Sequence, residues 1–174
     1  MDNSRAYIDR RRNIWELLNR SNVVLTKYAD MRLLKEIGIS YKQFMVLYIL
    51  DRIGVTATVT QIAGLLDRNP NTLSTILDRM EKSGLVKKIR DKKDRRLVNV
   101  VMMQKGKNKL TKAMELGWAM LEKLSSPFSE EELQTYTLLT EKLLKEANEL
   151  LVPRKVVKLV NTRRVQSTQK TSID

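Results

Sequence analysis

The sequence contains neither cysteine nor histidine. Their absence excludes disulfides, thiolate zinc sites, cysteine nucleophiles, thiol redox sensing and acid–base catalysis by histidine. Glycine (6 residues), proline (3) and aromatic residues (5%) are also scarce, which argues against collagen-like, low-complexity and repeat-sandwich architectures. The longest apolar run spans only Phe44 to Leu50, far short of the roughly 20 residues that a membrane span needs. No secretory signal is visible near Met1, so we expect a cytoplasmic protein with no membrane association.

Positive charge is what the chain has in excess. It carries 33 Lys and Arg against 20 Asp and Glu, a net charge of +13. A surplus of this size usually indicates a polyanionic partner, either nucleic acid or an anionic membrane face, although a basic protein without such a partner is the alternative. The surplus is uneven, because residues 58–104 and 153–174 are each at +5 whereas residues 105–152 are at −1. This pattern suggests an association part beside a DNA-facing part.

Apolar periodicity and capping residues predict a mainly α fold with a small β-hairpin. We expect a long first helix over residues 5–37, which Gly38 ends, and a second helix over residues 41–52, which Ser40 caps. The β-branched run at residues 56–59 is expected to be extended. Thr60 is the expected N-cap of a short third helix that ends near Asp67.

A fourth helix is predicted over residues 70–82, because Asn69 is a capping residue and Pro70 suits the first helical position. Its apolar residues are spaced three and four apart and lie on one face, whereas small polar residues occupy the opposite face. The apolar set is Leu73, Ile76, Leu77 and Met80, and the polar set is Asn71, Thr72, Ser74, Thr75, Asp78 and Arg79. Taken alone, the polar face could be an ordinary solvated surface.

Two strand-like runs follow, over residues 85–90 and 96–102, and a charged turn joins them into a predicted β-hairpin. Helices are then expected over residues 104–124 and from Ser129 to about Val152, the second opening with three glutamates that favour a helix N-terminus. Beyond Pro153 the chain is basic and rich in Thr, Ser and Gln. We expect this tail to be mobile or partly helical. It is either an arm that contacts DNA nonspecifically or a disordered terminus without a function.

A short helix, a capped amphipathic helix and a basic hairpin, in that order, are typical of a winged helix-turn-helix. The recognition helix would present polar side chains to base edges in the major groove. Its candidate residues are Arg68, Asn71, Thr72, Ser74, Thr75 and Arg79. The wing would place cations against phosphates or in the minor groove. Its candidate residues are Lys87, Lys88, Arg90, Lys92, Lys93, Asp94, Arg95 and Arg96.

These residues resemble the MarR (multiple-antibiotic-resistance regulator) family of bacterial winged-helix transcription factors. The likeness is carried by residues 60–66, by LDRMEKSGLV at residues 77–86 and by the Asp94-Arg95-Arg96 wing, and the order of elements extends it over about residues 10–150. The resemblance implies that Asp94 shapes the wing and that Arg95 or Arg96 reaches into the groove. The sequence departs from the family where a threonine commonly caps the helix after the wing, because Met103 and Gln104 stand there, and the tail is an extension.

The apolar surface of the first helix and of the last two predicts a homodimer whose recognition helices, about 34 Å apart, read a palindromic operator in double-stranded DNA. The resemblance also implies dimers, and an aromatic or phenolic effector bound between the DNA-binding and dimerisation parts. The candidate pocket residues are Trp15, Met45, Met102, Met103, Met114 and Trp118, for which plain core packing is the alternative. No cofactor and no metal site is expected.

Four segments are therefore predicted: an N-terminal dimerisation helix (1–38), a winged helix-turn-helix domain (39–104), C-terminal dimerisation helices (105–152) and a basic flexible tail (153–174). The leading hypothesis is a dimeric, sequence-specific transcriptional regulator, most simply a repressor. The alternative is an architectural protein that coats DNA through charge, without sequence preference. An enzyme acting on nucleic acid is disfavoured, because the acidic cluster at residues 130–132 is explained by its position at a helix start.

Overall fold

The computed structural model describes residues 3–54, 56–91, 94 and 97–150. In chain order these residues form α1 (Asn3–Glu36), α2 (Tyr41–Ile53), β1 (Ala57–Thr58), α3 (Val59–Leu65), α4 (Pro70–Lys82), β2 (Val86–Arg90), β3 (Val98–Met102), α5 (Gln104–Ser125) and α6 (Glu130–Leu150). The predicted fold class, mainly α with a small β element, is confirmed. The chain divides into two compact units between Pro127 and Phe128, so that α6 belongs to the second unit.

The helix starts of the first unit follow from local side-chain chemistry. Ser40 accepts a hydrogen bond from the Gln43 amide (3.2 Å), and the Gln43 side chain accepts one from the Ser40 amide (2.9 Å), which completes a capping box. Asn69 caps α4 by accepting a hydrogen bond from the Asn71 amide (2.9 Å). Both predicted caps are confirmed.

The predicted cap of the third helix was wrong. Thr58, not Thr60, is the N-cap of α3, and its hydroxyl accepts a hydrogen bond from the Gln61 amide (3.2 Å). The Gln61 side chain in turn accepts a hydrogen bond from the Thr58 amide (2.8 Å). The physical reason is spacing: a capping box needs Ser or Thr three residues before Glu or Gln, and only Thr58 meets that condition, so Thr60 lies inside the helix.

A three-stranded antiparallel sheet, in the order β1-β3-β2, packs beside α3 and α4. The predicted hairpin is present, with Val86 opposite Met102 and Arg90 opposite Val98. The extended run before α3 supplies a third strand, because Ala57 pairs with Val100. Sequence reasoning predicted an extended segment there but no strand pairing. The core of the first unit lies between this sheet and the helices, and its fully buried side chains include Leu47, Ile62, Leu73, Leu77 and Val100.

The C-terminal end of α1 is attached to the starts of two other helices. The Asp30 carboxylate accepts a hydrogen bond from the backbone amide of Tyr41, the first residue of α2 (2.6 Å). The Lys109 ammonium, in the second turn of α5, donates to the carbonyl of Ile37. A cation at a helix C-terminus and an anion at a helix N-terminus are both favoured by the helix dipole. Polar contacts thus join α1 to α2 and to α5.

The second unit is described by α6. Ser129 and Glu132 form a capping box at its start, with the Ser129 amide donating to the Glu132 carboxylate (2.8 Å) and the Glu132 amide donating to the Ser129 hydroxyl (3.3 Å). Large apolar side chains of α6 are exposed, namely Tyr136, Leu138, Leu139, Leu143, Leu144 and Leu150. Among the described helices of either unit, none is both long enough and apolar enough to cross a membrane.

Candidate nucleic-acid interface

Helix α4 buries one face and exposes the polar face that the sequence predicted. Leu73, Leu77 and Met80 are fully buried in the core. On the opposite side Asn71, Thr72, Thr75 and Arg79 are exposed, and Ser74 is half-buried. The Thr75 hydroxyl donates to the Asn71 carbonyl one turn earlier (3.3 Å), which leaves its oxygen lone pairs facing outward as acceptors. The helix therefore carries a set of small donors and acceptors on a rigid, core-anchored element.

The two predicted arginines lie at opposite ends of this surface. Arg68 is exposed in the turn between α3 and α4, where its backbone amide donates to the Ala63 carbonyl (2.9 Å). Arg79 is exposed in the last turn of α4. Guanidinium groups at the two ends of a helix are suited to phosphates on either side of a groove.

Two of the predicted wing lysines, Lys87 and Lys88, lie on opposite faces of β2. Lys87 and Arg90 are exposed on β2, but Lys88 is half-buried. The Lys88 ammonium forms an ion pair with Asp78 of α4 and lies 3.7 Å from the Glu81 carboxylate. The hydrogen bond to Asp78 is the largest influence on the pKa of Lys88 and raises it. Burial opposes this rise, and the Coulombic attraction of Asp78 and Glu81 adds smaller contributions that raise the pKa further. Lys88 is thus engaged with α4, a role that the sequence did not predict.

The start of the hairpin turn is organised by Asp91, which sequence reasoning passed over. Its carboxylate accepts hydrogen bonds from the Asp94 amide (3.0 Å) and from the Asn99 side chain (3.3 Å). The Asp91 amide donates to the Leu97 carbonyl (3.0 Å), and the Leu97 amide donates to the Asp94 carbonyl (2.9 Å). Asp94 therefore contributes backbone groups to the turn. The available signal was an aspartate at the first position of a turn between two strands, where its side chain bonds to backbone ahead of it.

The remaining wing cations, Lys92, Lys93, Arg95 and Arg96, lie outside the described residues, as does the basic tail over residues 153–174. Their assignment to DNA contacts stays a prediction.

The candidate effector residues are distributed over three helices, one strand and one helix cap. Trp15 on α1 and Trp118 on α5 are 67% and 66% exposed, so the residues that the structure describes do not enclose either indole. Met45 and Met114 are half-buried on α2 and α5. Met102, at the end of β3, is partly buried against the core. Met103 is exposed at the N-cap of α5, where no side-chain hydrogen bond caps the helix, as expected from the missing threonine.

Known proteins share this architecture and part of this sequence. Residues 39–98 match the model of the MarR family. Over 117 residues the chain is 29% identical to the HTH-type transcriptional regulator PecS of Dickeya dadantii (strain 3937), an alignment that covers 66% of this chain and 70% of PecS.

Two solved structures illustrate the likeness of fold. Streptococcus pneumoniae FabT in complex with DNA superposes with a TM-score of 0.67 at 23% identity, covering 80% of this chain and 99% of FabT. The organohalide-sensing regulator RdhR, in its 2,4-dichlorophenol-bound form, superposes with a TM-score of 0.70 at 22% identity, covering 84% of this chain and 90% of RdhR. Together with the family match over residues 39–98, these likenesses show that the chain contains a MarR-type winged-helix domain and shares the fold of these proteins.

Proposed function

We propose that this protein is a homodimeric, sequence-specific DNA-binding repressor. The observation that carries the proposal is α4, whose buried face anchors it to the core while Asn71, Thr72 and Thr75 stand exposed near its N-terminal end. Side chains of this kind, at this end of a helix, donate to and accept from base edges in the major groove. The solved complex of FabT with DNA supports the same use of this fold.

The charge distribution supports DNA as the partner. The segment over residues 58–104, which includes α3, α4 and the hairpin, carries ten basic and five acidic side chains. Lys and Arg that approach phosphates release condensed counterions, so binding to any DNA becomes tighter as salt falls. Charge alone would produce an architectural protein without sequence preference. The polar, hydrogen-bonding face of α4 favours the regulator.

Exposed apolar surface supports the dimer. On α1 the side chains of Ile14, Leu17, Val24 and Leu25 are exposed, and on α6 those of Leu139 and Leu143 are exposed as well. Apolar side chains lose their contact with water when a second copy covers them. In our proposal residues 1–38 and 105–152 associate, residues 39–104 bind DNA, and the two-fold axis sets the spacing of the half-sites.

An aromatic or phenolic effector is a further part of the proposal. RdhR is an organohalide sensor whose structure holds 2,4-dichlorophenol, and in this chain the indoles of Trp15 and Trp118 are exposed on α1 and α5. An effector acts if it binds a conformation whose half-site spacing no longer matches the operator.

The first test is selection of bound fragments from a random DNA pool, followed by affinity measurements at fixed physiological salt. We expect a palindrome that binds about 10³-fold or more tightly than a scrambled duplex. Thr72→Ala or Asn71→Ala should change the base preference at defined positions. Lys87→Gln should weaken binding to all sequences alike, because it removes a phosphate contact.

Equal affinity for the palindrome and the scrambled duplex would contradict this proposal and support the architectural alternative. Repressor action is tested by transcription in vitro from a promoter that overlaps the palindrome, where activation would contradict it. Repeating the binding assay with 2,4-dichlorophenol tests the phenolic effector, and an unchanged affinity for the palindrome would contradict that part.

A further inference from the structure

We propose that Lys88 is a positioning residue for DNA binding, which cancels the charge of Asp78 on the DNA-facing side of α4 and does not itself bind phosphate. The inference rests on the proposed function, because it concerns how the same surface meets DNA. The exposed side of α4 carries the Asp78 carboxylate, a negative charge that is unexpected on a surface proposed to bind DNA.

The position of Asp78 follows from helical spacing. Asn71, Thr75 and Asp78 are four and three residues apart, so their side chains lie above one another on the same side of α4. All three are exposed. A negative charge at this place repels the phosphates on either side of the groove that the helix enters.

Lys88 is held where it neutralises that charge. Strand residues alternate between faces, and Lys88 shares its face of β2 with Val86, which is buried, so its side chain is directed toward the body of the unit and α4. Its ammonium pairs with Asp78 and is less exposed than the carboxylate, with side-chain exposures of 28% and 53%. A cation already paired and half-buried is poorly placed to release a counterion from DNA.

Glu81 fixes the strand that carries this lysine. β2 is an edge strand, because the sheet order is β1-β3-β2, and the outward amide of Lys88 needs a partner other than a strand. The Glu81 carboxylate accepts a hydrogen bond from that amide (2.7 Å) and also lies 3.7 Å from the Lys88 ammonium. Backbone and side chain of one residue therefore join the wing to α4.

The neighbouring Lys87 provides a matched control. It is on the same strand, carries the same charge and lies on the opposite, exposed face. Within the described part of the chain Lys87 forms no ion pair. Removing its charge changes the net charge by the same amount but leaves Asp78 neutralised.

The experiment is a double-variant cycle on the full-length protein with its selected operator. Lys88→Gln should weaken binding about fivefold to tenfold, because Asp78 is then an unpaired negative charge near phosphates. Adding Asp78→Asn should restore affinity to within about twofold, since the pair is removed as a neutral whole. Lys88→Arg should retain affinity.

Salt dependence separates a positioning lysine from one that contacts phosphate. Lys87→Gln should lower the slope of log affinity against log salt by about 0.9, the value for one lost phosphate contact, whereas the double variant of Lys88 and Asp78 should keep the wild-type slope. Circular dichroism and thermal unfolding of each variant exclude loss of fold as the cause. A double variant that binds as weakly as Lys88→Gln alone would overturn the inference while leaving the proposed function intact. Failure of the wild-type protein to bind any selected DNA would instead overturn the proposed function.

Discussion

At Gly106, in the first turn of α5, the chain has no room for a side chain. A Cβ built there would lie 2.3 Å from the Leu85 carbonyl oxygen and 3.0 Å from the Met102 side chain. The same Leu85 carbonyl accepts a hydrogen bond from the Met103 amide (3.0 Å), so it cannot move away without breaking the contact between the start of α5 and the residue that precedes β2. The glycine therefore allows helix and hairpin to approach closely.

Gly106→Ala should lower the free energy of unfolding by about 1–3 kcal/mol, the usual cost of an overpacked core site. Gly117 is the matched control in the same helix, because nothing lies within 4 Å of a Cβ built there. Gly117→Ala should raise stability by about 0.5–1 kcal/mol through helix propensity. Urea unfolding of both variants measures the difference, and equal effects of the two substitutions would contradict the packing argument.

At the scale of elements, the sequence predicted what is local and missed what spans a distance along the chain. The Ser40 and Asn69 caps were predictable because donor and acceptor are two or three residues apart. The pairing of Ala57 with Val100 was not predictable, since a two-residue strand has no periodicity to identify its partner. The ion pair of Lys88 with Asp78 likewise depends on how β2 packs against α4.

The same reasoning explains the candidate interface. The polar side of α4 was predictable from the spacing of its buried residues. Which wing cations are already paired was not predictable, because a charge pattern does not show what each cation faces.

The start of α6 provides a pH-dependent element. The Glu131 carboxylate accepts hydrogen bonds from the Glu131 backbone amide and from the Ser129 hydroxyl. Both lower the pKa of Glu131 below its ordinary value of 4.5, and the backbone hydrogen bond has the larger effect. A lowered pKa means that the contribution to stability is fully present above the ordinary pKa and is lost as the pH falls through the lowered one. The helix start should therefore weaken only in acid, below about pH 4.5.

Ser129→Ala should raise the pKa of Glu131 part of the way back, because the hydroxyl donor is lost while the backbone donor remains. An NMR titration of the Glu131 side-chain carboxyl measures this shift. Ser126→Ala is the control, since the Ser126 hydroxyl donates to the Lys123 carbonyl (2.9 Å) and belongs to another helix end. An unchanged Glu131 pKa in Ser129→Ala would contradict the assigned cause.

At the scale of the whole molecule, the proposed dimer would bury some leucines of α6 and leave others exposed, although their exposure in the single chain is similar. Leu139 and Leu143 are 59% and 48% exposed and lie one turn apart on the apolar side of the helix. Leu138 is 67% exposed but projects among charged neighbours on the other side. In the proposed dimer a second copy buries Leu139 and Leu143 but not Leu138.

The double substitution Leu139→Asp and Leu143→Asp should convert the protein from a dimer to a monomer of 20.2 kDa, because unpaired carboxylates would be buried in an apolar interface. Affinity for the palindrome should fall to that for one half-site. Leu138→Asp should remain dimeric. Sedimentation equilibrium distinguishes these states, and dissociation by Leu138→Asp alone would contradict the assigned interface.

Because polar contacts fix the C-terminal end of α1 to α2 and α5, a small tilt of this long helix produces a large displacement at its other end. At 1.5 Å per residue its 34 residues are about 50 Å long, and Asp30 and Lys109 join its last turns to the starts of α2 and α5. A tilt of about 4° over such a length displaces the far end by about 3.4 Å, the rise of one base pair. In the proposed dimer, a tilt of this size about the N-terminal end of α1 would therefore shift the residues attached at its C-terminal end by about the rise of one base pair.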